Sequence, residues 1–159
     1  MVSVSLCEFV RSGQFGPFML GMARYEVQKL IGNPEDWGTE SHCESATIWR
    51  YADIEFYFTD DKLRMIFTDH DDLTDGGSTI SIDPWVVRRG LRLVEFESAL
   101  RFEDIPFTVT RPTFDPCQRL LTTQTGVQFA FIEERDADFD DHELGLFSWN
   151  LTFAISRLA

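Results

Sequence analysis

The amino-acid sequence predicts an α+β fold of two tandem units, each a helix followed by an antiparallel meander, with the helices packed on one face of the sheet. Three observations predict it. Residues 22–31 carry apolar side chains at three-to-four-residue spacing, the period of a helix. Residues 47–68 alternate instead with period two across two tight turns, the pattern of a meander. The same order of elements recurs after residue 79. Residues 1–14 are then a lead-in, 15–78 the first unit and 79–159 the second.

In the lead-in, Leu6, Phe9 and Val10 suit a short strand or helix. Met22, Val27, Leu30 and Ile31 form one helical stripe, with Gly32 as its stop and Pro34 preventing continuation. Thr47–Tyr51 and Ile54–Thr59 are joined by Ala52 and Asp53. A two-residue hairpin there sets Tyr51 opposite Ile54, Arg50 opposite Glu55 and Trp49 opposite Phe56. A second such turn at Asp60-Asp61 sets Phe58 opposite Leu63, Tyr57 opposite Arg64 and Phe56 opposite Met65. One face then holds Trp49, Tyr51, Ile54, Phe56, Phe58, Leu63, Met65 and Phe67. The other holds Ile48, Arg50, Glu55, Tyr57, Arg64 and Ile66. A one-residue slip would mix the two sets, so the pattern favours this register.

Thr79–Ile82 alternates like a short strand, and Asp83-Pro84 ends it. Residues 85–102 read as a helix with Val87, Leu91, Val94 and Leu100 among its apolar positions. Setting Gly21-Met22 on Gly90-Leu91 brings Glu26-Val27 onto Glu95-Phe96 and Ile31 onto Leu100. Ile54–Phe58 matches Val127–Phe131, and Leu63-Arg64-Met65 matches Leu144-Gly145-Leu146. The final stretch alternates with Phe147, Trp149, Leu151, Phe153 and Ile155 on one face. A bulge near Gly145 would reconcile that parity with an inward Leu144 and Leu146.

The chain has 159 residues, 43% of them hydrophobic, with fifteen Phe and four Trp, enough for a packed core. Its formal net charge of −13 repels nucleic acid and anionic membranes. That charge favours a basic partner, or serves solubility alone. Cys7, Cys43 and Cys117 are sparse and show no CxxC, which suits reduced thiols in the cytoplasm. The sequence shows no signal-peptide pattern and no apolar run of membrane-spanning length, again pointing to a cytoplasmic protein. The four tryptophans, Trp37, Trp49, Trp85 and Trp149, are expected in or beside the core.

The string Gly21, Met22, Glu26, Val27, Leu30, Ile31, Gly32 and Pro34, followed by Trp49-x-Tyr51 and an aromatic strand, resembles the SmpA/OmlA (BamE-like) superfamily. That superfamily includes tandem-repeat β-lactamase inhibitor proteins. The resemblance covers about residues 15–69 well and the second half loosely. It implies a helical segment on a small antiparallel sheet, and a partner protein bound across the exposed sheet. Small acidic toxin-immunity proteins are similar in charge and size.

The acidic stretches admit two readings. A calcium loop starting at Asp71 would have Gly76 in place, but Leu73 and Ile82 occupy ligand positions, so a solvated loop fits better. The run from Glu133 to Glu143, with Asp136, Asp138, Asp140 and Asp141, is a solvated hairpin loop or an acidic lip for a lysine- and arginine-rich surface. His42 and Cys43 are adjacent, a poor geometry for a nucleophile and its base. His70 and His142 lie in acidic stretches without metal-ligand spacing.

The expected function is therefore non-enzymatic: an inhibitor or immunity protein that neutralises a basic protein such as a toxin or nuclease. Arg50, Glu55, Tyr57, Arg64, Ile66 and Gln128 would supply the sheet face, because Tyr and Arg on a broad face are common interface anchors. Asp136, Asp138, Asp140 and Asp141 would supply the acidic lip. No catalytic residue, metal or cofactor is expected. The alternatives are an assembly module of BamE-like type, and a small metalloprotein or enzyme using His42, Cys43, His70 or His142.

Overall fold

In the computed structural model, residues 1–38, 40–69, 76–113, 115–134 and 143–152 are described, with side chains through residue 132. Strand β1 (Val2–Ser5) leads directly into helix α1 (Leu6–Ser12). Helix α2 (Arg24–Ile31) follows, then the short β2 (Asp36–Trp37) and the meander β3 (Ile48–Tyr51), β4 (Ile54–Thr59) and β5 (Lys62–Thr68). Strand β6 (Ile80–Asp83) precedes helix α3 (Leu93–Phe102). The remaining strands are β7 (Phe107–Thr110), β8 (Gln118–Thr123), β9 (Val127–Glu134) and β10 (Glu143–Thr152). The fold is α+β.

Two sheets organise the described strands. β1 and β6 pair in parallel. The other eight form one sheet in the order β2-β3-β4-β5-β10-β9-β8-β7, with every neighbouring pair antiparallel. The two meanders therefore run on into each other through β5 and β10. At its two edges the sheet is short. β2 has two residues and follows Pro34, while β7 has four and lies between Pro106 and Pro112.

The first hairpin pairs as its alternation predicts: Tyr51 with Ile54, Arg50 with Glu55, Trp49 with Phe56. The second departs from expectation. Its turn is as expected, with Asp60 and Asp61 both at positive φ, the geometry of a type I′ connection. Thr59 pairs with Lys62 and Phe58 with Leu63, but Tyr57 then pairs with Met65 and Phe56 with Ile66. Arg64 is passed over as a β-bulge, which inverts the facing of every later residue in β5. Ile66 is consequently buried at 0% exposure rather than outward, and Met65 and Phe67 are half-buried rather than core. Both parities of β5 carry apolar side chains, so alternation alone could not choose between them.

β9 and β10 hold a matching irregularity. Phe131 pairs with Leu146 and Ala130 with Ser148, leaving Phe147 as the bulge, two residues beyond the expected Gly145.

The helices begin later than their sequence pattern suggests. α3 starts at Leu93, because Pro84, Trp85 at φ 53° and Gly90 at φ 68° keep the preceding segment in turns. Val94 is consequently 62% exposed, whereas Phe96 and Leu100 are buried. In α2, Val27 and Ile31 are buried but Leu30 is exposed. Both helices are closed by a glutamate at the third position. Glu26 Oε2 accepts from the Ala23 N–H at 2.7 Å, and Glu95 Oε2 from the Arg92 N–H at 3.0 Å, each satisfying an orphan donor.

One core joins these elements. It contains Leu6, Phe9 and Val10 of α1, Val27 of α2 with Trp49, Tyr51, Phe56 and Phe58 of the first meander, and Phe96 of α3 with Leu121, Phe129 and Phe131 of the second meander. Phe96 stands over Phe129 with ring centroids 4.4 Å apart. Phe9, Phe15, Phe18 and Phe56 form a chain of ring contacts between α1 and β4. α1 also reaches the second meander, where the Thr125 hydroxyl donates to the Val10 carbonyl at 2.9 Å. Of the tryptophans, Trp49 is buried, Trp85 is half-buried against Phe96, and Trp37 is exposed at the β2 edge.

Candidate functional site

The residues that alternate with the core positions make up the other face of the eight-stranded sheet. Register links one residue from each strand into a single transverse row: Asp36, Arg50, Glu55, Phe67, Asn150, Gln128, Thr122 and Thr108. Side chains opposite one another in adjacent strands lie close enough to interact, so Asp36, Arg50, Glu55 and Phe67 make one stretch of surface and Gln128, Thr122 and Thr108 another. Beside it in the first meander stand Ile48, Tyr57 and Met65, again register partners. Arg50, Glu55 and Tyr57 are therefore brought together on this face as the sequence predicts, while Gln128 lies in the same row three strands away from Glu55. Arg64 is exposed on the bulge, and Ile66 points the opposite way. Asp136, Asp138, Asp140, Asp141, His70 and His142 lie outside the described residues.

The first-meander half of the face is a closed polar network. Arg50 Nε donates to Glu55 Oε1 at 2.7 Å, and its Nη1 donates to Asp36 Oδ2 at 3.0 Å. The Tyr57 hydroxyl donates to the other oxygen of Glu55, Oε2, at 2.5 Å. Both carboxylate oxygens of Glu55 are thus held from opposite sides, and its side chain is only 16% exposed. The bonds to Glu55 and Asp36 hold Arg50 more firmly protonated than usual. Burial, reinforced by the bond to Glu55, pushes the Tyr57 hydroxyl up to about 12. The Tyr57 ring meets Phe67 edge-on, with centroids 6.3 Å apart. Asp36 was not anticipated from sequence, because a two-residue strand has no alternation to read.

The second-meander half is different in kind. Thr108, Gln118, Leu120, Thr122, Gln128, Ala130 and Ile132 carry no ionisable group, and Ala130 is 4% exposed.

Against protein-family models, curated proteins and solved structures, the chain gives no match in any of the three comparisons. His42 is exposed and Cys43 half-buried in the turn before β3. The Cys43 thiol is pushed up by burial and by Glu44, opposite to the shift that activates a nucleophile. Its carbonyl has a structural task, accepting from Trp49 Nε1 at 2.6 Å. Among the described residues no group of three or more His, Cys, Asp and Glu is placed to hold a metal ion. No helix among them is long and apolar enough to cross a membrane.

Proposed function

We propose that this chain is a non-enzymatic protein-binding module, an inhibitor or immunity protein that occupies a basic partner with the open face of its sheet. The observation that carries the reading is the transverse row with its preorganised Asp36–Arg50–Glu55–Tyr57 network. Aromatic and arginine side chains already fixed by neighbours lose little entropy on binding, which is what interface anchors require.

The finer architecture belongs to the same proposal: two related helix-plus-meander units of BamE-like type, their helices on one face. Several correspondences support it. Gly21 and Gly90 share positive φ, and Glu26 and Glu95 share one capping role. Val27 and Ile31 stand where Phe96 and Leu100 stand. The bulges at Arg64 and Phe147 face the equivalent pairs Tyr57-Phe58 and Ala130-Phe131, which sets Leu63 on Leu146, two residues beyond the Leu144 that the sequence match gives. On this alignment, Phe56 and Phe58 stay aromatic as Phe129 and Phe131. On the open face, Arg50 becomes Thr122, Glu55 becomes Gln128 and Tyr57 becomes Ala130. The second unit does without the network at these positions, which supports a role for the network in recognition rather than in folding.

The net charge of −13 resides mostly elsewhere, since Asp36 and Glu55 are balanced by Arg50 and Arg64. Charge therefore speeds and steers encounter, while the face supplies contact. The test is capture from the native host on the full-length chain, at low salt and then at about 1 M, where the Debye length falls to about 3 Å. A basic protein retained at low salt and released at high salt is expected. Tyr57→Ala should weaken its binding by roughly 2 kcal/mol, about thirtyfold, with circular dichroism unchanged. Unaltered affinity in that variant would remove the open face from the interface.

A further inference from the structure

We draw no further inference here: the strongest candidate, a hollow of about 300 Å³ between Pro106, Phe107, Thr108, Thr122, Thr123 and Gln124 at the β7–β8 edge, carries nothing because nothing in the structure shows what fills it.

Discussion

Arg24 sits where α2 meets the sheet, at the first position of the helix. A cation there opposes the helix dipole, so its presence needs another cause. Its guanidinium lies 4.4 Å from the Phe58 ring centroid and 5.0 Å from that of Trp49. It also donates to the Ala46 carbonyl at 2.5 Å and to Asp61 at 3.0 Å. Asp61 is largely exposed, so the ion pair contributes little, and the stacking and the carbonyl bond dominate. Arg24→Ala should cost about 2–3 kcal/mol in urea denaturation. Arg24→Lys should recover less than half, because an ammonium cannot stack flat and also reach both acceptors. Tyr57 makes a pH prediction. Its ordinary value is 10.0, and the folded protein raises it to about 12. The neutral hydroxyl's contribution is complete below pH 10 and is lost as pH rises toward 12. Tyr57→Phe should flatten the decline of stability across that window. Some slope should persist from Tyr51, whose hydroxyl burial also raises.

At the scale of elements, the bulge in β5 decides which side chains fill the core. Ile66→Ala should cost about 2–5 kcal/mol, whereas an exposed residue of the open face such as Thr108 should change stability by about half a kcal/mol or less. Met65→Ala should fall well below Ile66→Ala, and the reverse order would restore the unbulged register. This is also where sequence reading succeeded and failed. β3 and β4 were legible residue by residue, because Trp49, Tyr51, Ile54 and Phe56 alternate with charged partners across a turn of fixed length. β5 was not, because Leu63, Met65, Ile66 and Phe67 satisfy either parity. The parallel pairing of β1 with β6 joins segments far apart in sequence and leaves no local signal. Of the candidate site, the Arg50–Glu55 pair was legible from register. The Tyr57–Glu55 bond could have been read from their spacing of two. Asp36 needed the tertiary structure.

Across the whole molecule, the two meanders share one sheet and one core, and α1 touches both. Neither half can lose its packing without exposing apolar surface of the other. Thermal unfolding should therefore be a single transition, coincident in near- and far-ultraviolet circular dichroism. Two separated transitions would show that the β5–β10 seam holds independent domains together only weakly. The ends of the sheet have a different consequence. An open eight-stranded sheet invites growth by strand addition, the route to polymers and fibrils. Here one margin is two residues long behind a proline, and the other is hemmed by prolines on both sides. Each offers too few backbone donors and acceptors to template an incoming chain. Strand addition at either margin is thereby disfavoured, so a crowded solution of this protein should stay free of filaments.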